Sequence, residues 1–173
     1  MPTNATASAR ILLVDDEEMI LQMYKSILAP PHEESGPTEA LTELASELFG
    51  DETEAAPMPC YDVSLCRQGA DAVDAVAAAR AEGRPFAIVV MDVLMPPGMN
   101  GVTAAEKIRA IDPDVNIVFV TGYARVDPDE IAARVPPEDK FFYMVKPLQS
   151  VELERLVASL ADSWHSAKTT AAA

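Results

Sequence analysis

Four runs along the chain are almost wholly apolar: Ile11–Val14, Phe86–Met91, Val115–Val120 and Phe141–Val145. Short runs that do not alternate are the pattern of strands covered on both faces, as in a parallel sheet. Tyr61–Cys66 alternates instead and predicts a fifth strand at a sheet edge. Between these runs the period changes from two to that of a helix. Ile20, Met23, Tyr24 and Ile27 mark a first helix, stopped by Pro30-Pro31. Ala70, Val73 and Ala77 mark a second that ends near Gly83. Further helices are predicted from about Val102 to Ala110, around Asp129–Arg134, and through Val151, Leu153, Leu156, Val157 and Leu160. Five strands alternating with helices predict an α/β fold, a doubly wound parallel sheet.

Three stretches fall outside this alternation. Residues 1–9 are small and polar and read as a disordered arm. Residues 30–59, acidic and rich in proline, read as an insertion between the first helix and the second strand. Within it, Leu41, Leu44, Ala45 and Leu48 keep helical spacing, with Pro37 suited to the first turn and Gly50 to the stop. That stripe is expected to pack on the domain's own surface, with a homodimer or inter-domain contact as the alternative. Residues 164–173, rich in Ser, Ala, Lys and Thr, read as a linker or tail. The domain proper is thus expected over 10–163.

Charge narrows the partners. Twenty-eight acids against thirteen bases give a net charge of -15. Such a surface repels phosphate backbones and anionic membrane, so neither nucleic acid nor membrane binding is expected of this domain. No apolar run is long enough to span a bilayer and none near the N-terminus resembles a signal peptide, so a cytoplasmic location is expected. Cys60 and Cys66, the only cysteines, are expected to be buried thiols on one strand face rather than a redox pair.

The candidate chemistry lies where the strands end. The first run stops at Asp15-Asp16, the third at Asp92, the fourth at Thr121 and the fifth at Lys146-Pro147. In an open α/β sheet the ligand site lies just beyond the carboxyl ends of the strands. Each residue has an ordinary explanation by itself. Asp15 and Asp16 suit a helix N-terminus, Asp92 a strand-end turn, Thr121 a strand and Lys146 a snorkelling surface position. Together they bring three carboxylates, a hydroxyl and an ammonium to one spot. Oxygen-only ligands of that charge suit Mg²⁺. A metal there would relieve the carboxylate repulsion and let one carboxylate act as a nucleophile toward phosphorus. A cis Lys146-Pro147 bond would pin the ammonium over the site. Gly98–Gly101 lacks both the P-loop lysine and the dinucleotide glycine spacing, which disfavours ATP, dinucleotide or FMN binding.

With Val14-Asp15-Asp16-Glu17, Met91-Asp92-Val93-Leu94-Met95-Pro96, Val120-Thr121-Gly122-Tyr123 and Val145-Lys146-Pro147 in hand, the chain resembles the receiver domain of two-component response regulators. The resemblance covers roughly Arg10–Ala161 apart from the insertion. It implies a flavodoxin- or CheY-like sheet of strand order 2-1-3-4-5. It implies that Asp92 accepts a phosphoryl group from a histidine kinase or phosphotransfer protein. Asp15, Asp16, Asp92 and the backbone carbonyl of Leu94 would hold Mg²⁺, and Thr121 and Lys146 would bind the phosphoryl group. Thr121 and Tyr143 would act as the switch toward an output domain in cis or in trans. Three features depart from the family pattern: the insertion, a loop after Asp92 that is one residue longer, and Gly122 where alanine is commoner. The insertion and the Met-Pro-Pro-Gly loop look like those of receivers at the front of larger sensor proteins. Two rival readings stand beside this one. One is a scaffold without phosphotransfer. The other is a phosphatase of the haloacid dehalogenase type, which wants an acid where Leu94 stands.

Overall fold

The computed structural model describes residues 9–29, 61–122 and 127–171. Five strands, β1 (Arg10–Val14), β2 (Asp62–Cys66), β3 (Ile88–Asp92), β4 (Asn116–Thr121) and β5 (Phe141–Val145), alternate with helices α1 (Glu18–Leu28), α2 (Gly69–Ala81), α3 (Gly101–Ile111), α4 (Pro128–Arg134) and α5 (Ser150–Ala171). All strand pairs are parallel and the order is β2-β1-β3-β4-β5, the topology implied by the family resemblance. Register is uniform: Leu13 lies beside Leu65 on one side and Val90 on the other.

Strand side chains alternate between two cores. Leu12, Val14, Val89, Met91, Ile117 and Phe119 face α2, α3 and α4, where Val76, Ile108 and Ile131 meet them. Ile11, Leu13, Ile88, Val90, Val118 and Val120 face the other way, onto Leu21, Tyr24 and Leu28 of α1 and Leu153, Val157 and Leu160 of α5. Every residue of β4 is buried, whereas β5, at the edge, is only half-covered. Double coverage of the central strands is why their sequences run apolar without alternation.

Several sequence expectations are corrected in detail. On α1 the buried stripe is Leu21, Tyr24 and Leu28; Met23, expected inside, is 44% exposed. On α2 the buried residues are Gly69, Ala72, Val76 and Ala79, and Ala70 and Ala77 face water. This helix is mostly small residues, so composition does not single out a face. Tertiary approach does: a Cβ on Gly69 would press on the Met99 carbonyl and the Ala104 side chain of the next unit. The edge strand β2 does not alternate in exposure, since Val63–Cys66 are all half-buried. The final helix does not stop where a linker was read but continues to Ala171. Ala and Lys are good helix formers, and Lys168 stacks 4.0 Å from the Trp164 ring centroid one turn back. Residues 1–8 of the expected arm, the insertion helix and Cys60 lie outside the described residues, whereas Ala9 is buried and its carbonyl accepts from the Asp62 amide.

Arg109 is an unexpected core residue. Its guanidinium is buried and donates to the carbonyls of Pro113, Val115 and Lys140. It thereby ties the turn before β4 to the residue before β5. Burial lowers its pKa below the ordinary arginine value, against the pull of Asp112, Asp139 and Asp114.

Candidate functional site

The register carries the polar strand ends to one edge of the sheet. Val14 is level with Met91, Asp92 with Val120, and Thr121 with Val145. The residues just past β1 and β5 therefore face each other across β3 and β4. Carboxylate oxygens of Asp15, Asp16 and Asp92 all lie within 4.8 Å of one another. Asp15 is buried at 2% exposure, and Asp16 and Asp92 are half-buried.

Lys146 closes the group. Its Nζ donates to Asp92 Oδ2 at 2.8 Å and to Asp15 Oδ2 at 2.9 Å. Burial alone would pull the ammonium down. The hydrogen bonds to Asp92 and Asp15 outweigh that and hold its pKa above the ordinary lysine value, so it stays charged. The Lys146-Pro147 bond is cis. The backbone amide of Lys146 donates to the Thr121 carbonyl at 2.8 Å, extending the β4–β5 ladder to the site itself.

Each carboxylate is aimed by its own strand end. Asp15 Oδ1 accepts from the Glu17 amide at 2.9 Å, and Asp92 Oδ1 from the Leu94 amide at 3.0 Å. Both are turns in which an Asp side chain holds the amide two residues on. The turn after β3 also needs Gly101: its amide donates to the Val93 carbonyl at 2.9 Å, and a Cβ there would collide with the Asp92 carbonyl. Asn100 caps α3 by accepting from Thr103.

Thr121, the last residue of β4, is 1% exposed. Tyr143 lies on β5, half-buried against the core that includes Phe119. Leu94 is 46% exposed beside Asp92. Two further neighbours were not singled out in the sequence. Tyr24, packed under the site from α1, has its phenol pushed up to about 12, chiefly by burial, with Lys146 opposing and Asp15 and Asp92 adding. Arg67 donates to the Asp16 carbonyl at 3.1 Å from the rim. Tyr24 has the spacing of a plain core residue and Arg67 no signal at all, so only the fold reveals either.

The donor set fits a hard divalent cation. It consists of three carboxylates, one buried and two half-buried, with oxygen as the ligand atom, which is the chemistry Mg²⁺ prefers. Among the described residues no helix is long and apolar enough to cross a membrane.

The family model of the response regulator receiver domain matches residues 53–158. The chain is 33% identical over 164 residues to the sensor kinase CckA of Brucella abortus, a match that covers 92% of this chain and 13% of that protein. It is 37% identical over 76 residues to the response regulator receiver protein CpdR of the same organism, covering 43% of this chain and 58% of the relative. The chain thus spans an eighth and somewhat over half of these relatives' lengths. Among solved structures, a CheY-like receiver domain protein from Methanospirillum hungatei superposes with a TM-score of 0.62 at 21% identity, covering 92% of this chain and 98% of that one. A receiver protein from Sinorhizobium medicae gives 0.61 at 23%, covering 92% and 99%. These likenesses show the same fold. The family match, the sheet order and the acidic strand ends agree, and the chain belongs to the response regulator receiver domain family of two-component signalling.

Proposed function

We propose that the chain is a phosphoacceptor receiver in which Asp92 takes a phosphoryl group from a sensor histidine kinase or phosphotransfer protein and thereby changes its preference for an output module, in cis or in trans. The observation that carries this reading is the contact of Asp92 Oδ2 with Lys146 Nζ at 2.8 Å, inside a group of three carboxylates.

In the step, an Asp92 carboxylate oxygen attacks the phosphorus of a phosphohistidine. The P–O bond forms as the P–N bond breaks, and the imidazole leaves with its electron pair. Asp15, Asp16, Asp92 and the Leu94 carbonyl would hold Mg²⁺, which supplies neutralisation of the charge accumulating on the phosphoryl oxygens. Lys146 gives up one carboxylate partner and binds a transferred oxygen. The Thr121 hydroxyl moves to another, and Tyr143 repacks behind it. The partner-facing surface of α4, β5 and α5 then shifts between two packings.

The test is direct. Incubation with acetyl phosphate and Mg²⁺ is expected to add one phosphoryl mass, lost in Asp92→Asn and when Mg²⁺ is withheld. A wild-type chain that takes up no phosphate overturns the reading. If Mg²⁺ also fails to bind, the chain is instead a scaffold of the same fold.

A further inference from the structure

At the end of the sheet away from Asp92 lies a cavity of about 310 Å³, lined by Arg10, Asp62, Arg84, Pro85, Trp164 and Lys168. Arg10 opens β1 and Asp62 opens β2, while Arg84 and Pro85 lead toward β3, so this cavity sits at the amino ends of the strands. Trp164 and Lys168 come from the last turns of α5.

Its charge runs against the rest of the molecule. A chain of net charge -15, with thirteen bases in all, places three of them here around a single acid. Asp62 is shared: Arg10 Nε lies at 3.1 Å and Arg84 Nη2 at 3.4 Å from the same oxygen. Lys168 makes no ion pair among the described residues. One carboxylate against three cations leaves an excess of two positive charges. The plain alternative is three solvated surface cations, but two of them are held in place. Arg10 lies 4.5 Å over the Phe86 ring and Lys168 4.0 Å over Trp164. Aromatic backing of this kind fixes a cation without neutralising it, which lowers the ordering cost of binding an anion.

The geometry points to a second anion site, for a small phosphate-bearing molecule. Arg84 offers a forked guanidinium, and Arg10 adds charge while its Nε and Nη1 are bonded to Asp62 and the Arg84 carbonyl. The Lys168 ammonium adds a point charge, a combination suited to phosphate oxygens. The excess charge matches a phosphate dianion. The volume lies at the lower end of small-ligand pockets. The Trp164 and Pro85 surfaces offer an apolar wall to whatever body carries the phosphate.

Trp164 is the only tryptophan, so its fluorescence reports on this cavity. The full chain is titrated without Mg²⁺ with inorganic phosphate and with phenyl phosphate, against chloride at matched ionic strength. A saturable change is expected with one or both probes, weakened at least tenfold in Arg84→Ala and in Lys168→Ala, both exposed side chains. Phenyl phosphate binding tighter than phosphate identifies a phosphate ester as the occupant; equal affinity identifies free phosphate. Three results overturn the site: no saturation beyond the chloride control, a saturable change that both variants leave intact, or a change that Asp92→Asn abolishes.

Discussion

Gly101 turns its bare Cα onto the backbone carbonyl of Asp92, closely enough that any Cβ would collide with that oxygen. The turn that aims Asp92 is thus built on the absence of a side chain nine residues away. Gly101→Ala is expected to cost roughly 1–3 kcal/mol of stability by overpacking and to slow phosphorylation from acetyl phosphate. Gly122→Ala is the control. Among the described residues its nearest neighbour would be the Lys146 Cβ at 3.9 Å, an ordinary contact, so unfolding midpoint and phosphorylation rate should stay within error of wild type.

Lys146→Ala leaves Asp15 and Asp92 facing each other with no counter-cation. Their side chains are 3% and 13% exposed, so water screens them poorly. In the presence of EDTA the variant should lose roughly 2 kcal/mol, below the range for fully buried pairs because the site opens to solvent. Mg²⁺ should restore more stability to the variant than it adds to wild type. Thermal denaturation with and without the metal measures both.

Leu94 cannot orient an attacking water, and being 46% exposed it can be replaced without disturbing the core. Leu94→Asn is expected to shorten the phospho-Asp92 lifetime about tenfold, equivalent to ~1.4 kcal/mol of barrier. Decay of the phosphoprotein mass follows it. A lifetime lengthened by Leu94→Ala would contradict the role given to this side chain.

Tyr24 makes stability depend on pH above 10. Its phenol is pushed up to about 12 in the fold, chiefly by burial, from 10.0. Between those values the folded chain keeps a proton that the unfolded chain has released. Stability is therefore full below pH 10 and falls as pH rises toward 12. Tyr24→Phe should flatten this decline by on the order of 2 kcal/mol, read from urea midpoints at pH 9.5 and 11.5. Cys66, pushed up to about 11 by burial and Asp71, acts in the same direction but is unchanged in the variant.

The strand ends were legible because burial on both faces of β1, β3 and β4 removes alternation and leaves polar residues at the strand ends. Helix faces were less so. On α2 the alanines give no stripe, and the choice of Ala72, Val76 and Ala79 is made by α3 pressing on Gly69. The helical conformation of the end of α5 is not legible because small polar residues suggest a linker, whereas Trp164 and Lys168 hold each other one turn apart. The Gly101 collision, the burial of Arg109 and the tie between Tyr24 and the acidic site all depend on approaches between distant segments, which local pattern does not encode.

The contact between Lys146 and Asp15 spans 131 positions. A chain emerging from the ribosome amino end first therefore exposes Asp15, Asp16 and Asp92 before Lys146. Until Lys146 follows, these carboxylates have no ammonium to pair with, and divalent cations are the available counter-ions. The last strand to be made thus completes the sheet and delivers the ammonium of the acidic site.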